Sequence, residues 1–193
     1  ETVDSQDVVT FTGSASTGRM LKANPRIINE AVPFNMEADS LNCSVLGLDA
    51  SPGTPEFTLF IKGVKAEMTV KCGQKCTAIR RIMVPEKYVE DVQIALGKEL
   101  ARTNIGDPSL KETRMGALVS KDQVEEVKER VAELNKTADI VYGNLDSVEV
   151  HGADAQKGAF LSPILMLEKD PFKNTAVHNV EAFGPVSLSL IHI

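Results

Sequence analysis

The amino-acid sequence predicts an α/β fold in which a mainly parallel sheet is flanked by helices. Short apolar runs rich in β-branched residues alternate along the chain with amphipathic runs of helical periodicity, a pattern typical of parallel sheets with crossover helices. The 193 residues are 42% hydrophobic and 25% charged, which is enough for one globular core, or for one domain and part of a second. We therefore expect a folded chain without repeats or low-complexity segments.

Several apolar runs bounded by turn-forming residues are predicted to be strands. Residues 8–12 (VVTFT) lead into the Gly-Ser-rich run FTGSASTG, where we expect the strand to turn into a helix. Residues 43–49 (CSVLGLD) form the next predicted strand, and the Pro/Gly-rich run ASPGTPE follows it as a connection. Further strands are predicted at residues 78–84, 138–142 and 163–168.

Helical spacing of apolar residues predicts three amphipathic helices. The first covers residues 55–71, and Gly73 is expected to prevent it from continuing. The second covers residues 86–103. The third begins at Ser120, a typical N-cap residue. The residues expected to face the core are Phe57, Phe60, Ile61, Val64 and Met68 in the first helix, Val89, Val92, Leu96 and Leu100 in the second, and Val124, Val127, Val131 and Leu134 in the third.

Charge and cysteine content exclude several classes of function. A net charge of −6 disfavours nucleic acid or an anionic membrane as the main partner. No apolar run approaches the roughly 18–20 residues that span a bilayer, and the first residues do not resemble a signal peptide. Three cysteines without a dense disulfide framework favour a reducing cytosol. Because both ends lie close to strand-like runs, we expect the chain to be a fragment of a longer cytoplasmic polypeptide.

The run VKCGQKCTAIRR at residues 70–81 carries two cysteines around a Gly-Gln pair. Zinc needs four donors and the histidines are scattered singly, so no metal site is predicted. The CxxxC spacing, unlike CxxC, disfavours a redox disulfide. Cys76, between a turn and a strand, is the expected nucleophile, whereas Cys72 and Cys43 are expected to pack as small apolar residues. Four basic residues near Cys76 are interpreted as surface charges, with binding of an anionic substrate tail by one or two of them as the alternative: Lys71, Lys75, Arg80 and Arg81.

Two segments before the cysteines could contribute to a site. Gly13 and Ser14 lie where a strand ends and a helix opens, so backbone amides and a hydroxyl can approach a dinucleotide. The alternative is an ordinary turn with Ser14 as N-cap. Glu37 follows the apolar run AVPFN, which could place its carboxylate at a strand end facing a cleft, where desolvation would raise the pKa of a general base. The alternative is a solvated glutamate.

In order along the chain, these motifs resemble the aldehyde dehydrogenase superfamily. GQKC before a strand is similar to the family's active-site segment, and the match extends through FTGSASTG, Glu37, GDP at 106–108, MGALVS at 115–120 and EAFGPV at 181–186. The run MEADSLN replaces the family's commoner Glu-Leu-Gly-Gly-Lys. Together with KCGQKCTAIRRIMVP and AVHNVEAFGPV, it resembles the branch formed by the aldehyde dehydrogenase domains of bifunctional phenylacetic acid degradation proteins.

The resemblance implies a domain organisation and a cofactor. Residues 1–40 would be the C-terminal remnant of a Rossmann-like NAD(P)-binding domain, and residues 41–193 the catalytic domain, truncated at its C-terminus. The cofactor would be NADP or NAD, with NADP favoured by the branch. The implied roles are nucleophile for Cys76, general base for Glu37, contact with the nicotinamide side of the cofactor for Gly13 and Ser14, ribose binding for Glu181 and packing against nicotinamide for Phe183.

The branch also implies a substrate and an assembly. The substrate would be a small aldehyde, a CoA-linked semialdehyde of phenylacetate catabolism, oxidised to the acid by a homo-oligomer of the full-length protein. The family's oxyanion-hole Asn and most of its cofactor domain have no counterpart here, so we expect the chain alone to be inactive or nearly so.

Two other functions stay open. The first is a CoA-acylating dehydrogenase, in which CoA resolves the thioester, although Glu37 argues against it because thiolysis needs no water-activating base. The second is a catalytically dead interaction module with the same fold. Retention of Cys76, Glu37, Glu181 and Phe183 argues against that reading.

Overall fold

A computed structural model describes residues 2–191 of the chain. The chain divides into two compact units, unit 1 being Glu1–Ser40 and unit 2 being Leu41–Ile193. No helix within the described residues is both long enough and apolar enough to cross a membrane. The predicted strand-like run at the end of the sequence is described up to Ile191, and His192 lies outside the described residues.

Unit 1 is a small parallel pair of strands with two helices between them. Its elements are β1 (Val9–Gly13), α1 (Ala15–Lys22), α2 (Pro25–Asn29) and β2 (Phe34–Ala38). The strand and the strand-to-helix turn predicted around residues 8–18 are both present. The sequence analysis did not predict α2, because five residues are too few to show helical periodicity. Parallel pairing brings the carboxyl ends of β1 and β2 to the same edge.

Unit 2 contains a five-stranded sheet in the order β3-β4-β7-β6-β5. Only β5 runs antiparallel to its neighbour, and the other pairs are parallel. The elements are β3 (Asn42–Val45), α3 (Pro55–Thr69), β4 (Ile79–Val84), α4 (Val89–Ala101), α5 (Lys121–Leu134), β5 (Asp139–Tyr142), β6 (Ile164–Glu168) and β7 (Val186–Ile191). The predicted α/β fold with a mainly parallel sheet is therefore confirmed.

Two hydrophobic cores cover the two faces of this sheet. Leu165 packs into the core formed with α3 and α4, whereas its neighbours Ile164 and Met166 pack into the core formed with α5. Alternate side chains of a strand point to opposite faces, so a strand covered on both sides is mainly apolar, as β6 is before the buried Glu168 at its end. All five residues of β6 are buried for this reason.

The structure corrects the predicted ends of two elements and the predicted burial of Cys43. Helix α3 ends at Thr69, before the predicted position, and Val70–Gly73 form a 3₁₀ turn. Strand β3 ends at Val45, not at residue 49. Cys43 is exposed and not packed, because β3 is an edge strand and this side chain points away from the core. The loop at 143–158 is mostly exposed, as expected, and its His151 backbone bonds to Ile105 and Asp107.

Truncation of Leu96 should destabilise unit 2. Leu96 is fully buried between α4 and the sheet, so Leu96→Ala should lower the free energy of unfolding by about 2–5 kcal/mol through lost burial and a cavity. Urea unfolding of the chain measures this. Lys98→Ala, an exposed change on the same helix, is the control and should shift stability by no more than about 0.5 kcal/mol. Equal effects of the two changes would contradict the assigned core.

Candidate active site

The candidate residues of unit 2 lie at the amino edge of its parallel sheet. Cys76 comes just before β4, and Glu181 and Phe183 come just before β7. Because β4 and β7 are parallel neighbours, the segments that lead into them meet at the same edge. Cys76, Glu181 and Phe183, which were predicted from separate motifs, therefore lie at the same edge of the sheet.

The thiol loop, residues 70–78, reverses direction through three left-handed residues. Lys71, Cys72 and Gly73 have φ angles of +52°, +56° and +67°, a conformation that is uncommon for residues other than glycine. This run ends α3 before Cys72, which therefore does not lie on the last helical turn as predicted. The turn leaves Cys72 buried and Cys76 exposed.

Polar side chains hold the first half of this loop. The Gln74 side chain donates through Nε2 to the Lys71 carbonyl at 3.1 Å and accepts through Oε1 from the Val119 backbone N–H at 3.1 Å. Lys75 forms an ion pair with Glu67 on α3, with 2.8 Å between Nζ and Oε2. The contact with Lys71 lies within the loop, whereas those with Val119 and Glu67 join the loop to two other segments and hold its shape.

An asparagine at the start of β3 holds the second half of the loop. The Asn42 side-chain amide donates to the backbone carbonyl of Cys76 at 2.6 Å and to that of Ala78 at 3.2 Å. These bonds fix the orientation of the peptide that follows Cys76. The sequence analysis did not identify Asn42, because its two acceptors lie 34 and 36 positions away.

The two cysteines of the thiol loop differ in environment. Cys72 is 2% exposed, and its Sγ donates to the carbonyls of Gly116 and Ala117 at 3.1 and 3.2 Å. Burial raises the pKa of the Cys72 thiol to about 11, which suppresses its thiolate near neutral pH. Cys76 is exposed. The environment therefore favours Cys76 as the nucleophile and Cys72 as a packed thiol.

A buried arginine connects the thiol loop to the segment before β7. Arg80 is 2% exposed and donates from Nε to Glu181 Oε1 at 3.2 Å, from Nη1 to the Gly184 carbonyl at 2.7 Å and from Nη2 to the Gly73 carbonyl at 2.7 Å. Its guanidinium also lies 5.2 Å from the centre of the Phe183 ring. Burial lowers the pKa of Arg80, and the charge of Glu181 opposes this change. The prediction of a surface charge at Arg80 is wrong.

The close contact between the two loops requires glycine at position 73. A Cβ atom on Gly73 would lie 2.2 Å from the Gly184 carbonyl oxygen, far inside van der Waals contact. The φ of +67° at Gly73 adds a second reason, since this conformation is strained for other residues. The absence of a side chain allows both carbonyls to converge on the Arg80 guanidinium.

In unit 1, Ser14 is the N-cap of α1. Its Oγ accepts from the Thr17 N–H at 3.3 Å and donates to Thr17 Oγ1 at 2.9 Å. The helix N-terminus also binds a carboxylate of the chain itself, because the Ala15 N–H donates to Asp39 Oδ1 at 2.9 Å. Asp39 has a φ of +44°, which Asp tolerates better than most residues. The capping alternative for Ser14 is thus observed, and Gly13 before it is exposed.

Glu37 lies in β2, next to its last residue. The parallel register pairs Thr12 with Glu37 and Gly13 with Ala38. Unit 1 therefore brings the candidate residues Gly13, Ser14 and Glu37 to one edge of its strand pair. The Glu37 side chain is exposed, so residues 2–191 do not supply the desolvation that the sequence analysis invoked.

The described residues contain no group of three His, Cys, Asp or Glu side chains that could hold a metal ion. The residues that sequence reasoning missed are Arg80 and Asn42. Arg80 had a detectable signal, because in the strand run IRRIMV it shares its parity with the buried Ile82 and Val84. Its positive charge obscured that signal.

Comparison with known proteins identifies relatives over nearly the whole chain. The model of the aldehyde dehydrogenase family matches residues 2–192. A 3,4-dehydroadipyl-CoA semialdehyde dehydrogenase of Aromatoleum evansii is 43% identical over 181 residues, which are 94% of this chain and 35% of that protein. A putative aldehyde dehydrogenase of Staphylococcus haemolyticus is 26% identical over 93% of the chain and 35% of its own length. The chain thus spans about a third of the length of these relatives.

Solved structures show the same fold. A betaine aldehyde dehydrogenase of Staphylococcus aureus in complex with NAD⁺ matches with a TM-score of 0.82 at 23% identity, over 97% of this chain and 35% of that chain. A variant aldehyde dehydrogenase of Bacillus cereus matches with a TM-score of 0.76 at 28% identity, over 96% of this chain and 35% of that chain. The predicted resemblance to the family is confirmed.

The exposed thiols and the buried thiol should react at different rates with iodoacetamide. We expect Cys76 and Cys43 to react near neutral pH and Cys72 to stay protected until the pH approaches about 11, because burial disfavours its thiolate. Mass spectrometry of the native chain, read residue by residue across a pH series, measures the rates. Labelling of Cys72 as fast as Cys76 near neutral pH would contradict the assignment of the two thiols.

Proposed function

The chain belongs to the aldehyde dehydrogenase family, and from that premise we propose that it carries the nucleophile and part of the cofactor site of an NAD(P)-dependent enzyme that oxidises an aldehyde to its acid. The observation that carries the proposal is the exposed Cys76 on a loop joined by Arg80 to Glu181 and Phe183. In this proposal unit 1 is the last part of the cofactor domain and unit 2 is the catalytic domain.

We propose a CoA-linked semialdehyde of aromatic catabolism, in particular of phenylacetate degradation, as the substrate. The 43% identical relative is named for a semialdehyde of this class, and the segments around Glu37, Cys76 and Glu181 resemble the phenylacetate branch. The branch resemblance favours NADP, while the betaine aldehyde dehydrogenase of Staphylococcus aureus is a complex with NAD⁺. We propose that the longer protein forms a homo-oligomer. We also place it in a reducing cytosol, where a nucleophilic thiol stays reduced.

The residues fit a nicotinamide cofactor at two places. In unit 2, the Phe183 ring is 36% exposed while Arg80 lies over it, and the carboxylate of Glu181 is held beside it. A carboxylate accepts hydrogen bonds from ribose hydroxyls, and an exposed aromatic ring can pack against nicotinamide. In unit 1, Gly13 and Ser14 are exposed at the junction of β1 and α1. We assign these four residues to cofactor binding.

Cys76 carries the first half of the proposed reaction. Its thiolate attacks the aldehyde carbon, forming a carbon–sulfur bond and an oxyanion that the backbone N–H of Cys76 is suited to stabilise. A bound nicotinamide cofactor supplies the chemistry of a hydride acceptor. The Cys76 sulfur would hold the substrate carbon while its hydride passes to such an acceptor, and a thioester on Cys76 would remain.

Glu37 carries the second half. Its carboxylate takes a proton from water, and the resulting hydroxide attacks the thioester carbonyl. The carbon–sulfur bond breaks, the acid leaves, and Cys76 is regenerated as a thiolate. The exposed position of Glu37 leaves its carboxylate accessible to water.

Replacement of Cys76 tests the proposal directly. In the full-length protein, Cys76→Ser should lower aldehyde-dependent reduction of NADP or NAD by about three orders of magnitude or more, because a neutral serine hydroxyl is a far poorer nucleophile than a thiolate. Cys43→Ser, at an exposed thiol outside the loop, is the control and should retain turnover. A fully active Cys76→Ser protein, or a wild-type protein without any turnover, would refute the proposal, and the latter would favour a catalytically dead module.

Replacement of Glu37 distinguishes hydrolysis from CoA acylation. The exposed position of Glu37 keeps this second reaction under consideration, since thiolysis by CoA needs no water-activating base. If water resolves the thioester, Glu37→Gln should abolish formation of the acid and leave a single burst of reduced cofactor. If CoA resolves it, CoA-dependent turnover should persist in this variant. Quantifying acid and acyl-CoA products over one and many turnovers separates the two.

A further inference from the structure

We propose that Arg80 is a positioning residue that holds the Glu181 carboxylate in place for the cofactor and joins it to the thiol loop. The inference deepens the proposed function and depends on it, because Glu181 is assigned there to the cofactor ribose. Arg80 itself is 2% exposed, so it acts through Glu181 and not by touching the substrate.

The geometry of the guanidinium gives it two tasks. Its three nitrogens donate in three directions, to Glu181, to the carbonyl of Gly184 and to the carbonyl of Gly73. Two of these acceptors belong to the segment before β7 and the third belongs to the thiol loop. A planar fork of donors on a strand between the two loops fixes their separation, which a single hydrogen bond would not do.

The burial of the pair makes this arrangement rigid. Glu181 has an 11% exposed side chain and Arg80 a 2% exposed one, so neither exchanges its partner for water without cost. The Phe183 ring over the guanidinium adds a cation–π contact and extends the same unit to the second proposed cofactor residue. The carboxylate, the ring and the thiol loop therefore keep their mutual positions through one cation.

Lysine cannot reproduce these contacts. Its ammonium is a point charge with a different reach, so Arg80→Lys keeps a positive charge near Glu181 but loses the fork that bonds both loops at once. Arg80→Gln keeps two amide donors without the charge. The two variants separate the contribution of shape from that of charge, and either can serve if the other does not fold.

The experiment measures ligand binding to the full-length protein by isothermal titration calorimetry. The ligands are the nicotinamide cofactor, NADP or NAD, and the matching adenosine bisphosphate or diphosphate, which lacks the nicotinamide ribose. Arg80→Lys should raise the Kd of the nicotinamide cofactor about tenfold to a hundredfold, as expected for misplacing one charge-assisted hydrogen-bonding group. The Kd of the adenosine ligand should stay within twofold.

Two further variants make the result specific. Glu181→Gln should raise the cofactor Kd by a similar factor. The double variant Arg80→Lys/Glu181→Gln should have a Kd no higher than that of the single variant with the higher Kd, because the two residues act as a unit. Ile82→Val, a buried change on the same strand, lowers stability without touching either loop contact. Its melting temperature should fall while both Kd values stay at the wild-type level.

The outcomes separate this inference from the proposed function. The positioning role of Arg80 would be overturned if Arg80→Lys bound the cofactor with the same Kd as Ile82→Val while Glu181→Gln bound it more weakly than the wild type. The proposed dehydrogenase function would not be affected by that result. Unchanged binding in Glu181→Gln would overturn the role of both residues. A wild-type protein that binds no nicotinamide cofactor and turns over no aldehyde would refute the proposed function, and the inference with it.

Discussion

The structure of the candidate site in unit 2 depends on one buried cation. Removing a guanidinium from water costs several kcal/mol unless its donors find acceptors, and Arg80 finds them in a carboxylate and two backbone carbonyls. Those acceptors can converge only if the loops that carry them approach closely, which the absence of a side chain at Gly73 permits. The need to pair this charge therefore determines the shape of both loops.

A parallel sheet explains why these loops meet at all. Strands β3, β4 and β7 are consecutive neighbours and run in the same direction, so the segments preceding them share one edge. Asn42, Cys76 and Glu181 each belong to such a segment or to the first residue of a strand. Cores on both faces fix the strands, and the irregular backbone at their ends is free to carry side chains for chemistry.

Much of the fold was predictable because its signals are local. The apolar stripe of α5 and its cap at Ser120, which accepts from the Gln123 N–H at 3.1 Å, follow from a short run of sequence. The left-handed turn that ends α3 does not, because Lys71 and Cys72 have no local preference for positive φ. The position of Arg80 in the alternating pattern of β4 did indicate burial, but its charge argued against it, and the partner that compensates this charge, Glu181, lies 101 positions away.

The two thiols of one loop show how backbone conformation assigns chemistry. Cys72 and Cys76 have the same side chain and each follows a lysine, yet the left-handed turn leaves the first buried in the core and the second exposed. Inside, the Cys72 Sγ lies within hydrogen-bonding distance of two carbonyls and burial raises its pKa to about 11, so its thiolate is disfavoured near neutral pH. Outside, Cys76 has its following peptide held by Asn42. The turn between the two cysteines thus determines which thiol is accessible, and only the accessible one can serve as the proposed nucleophile.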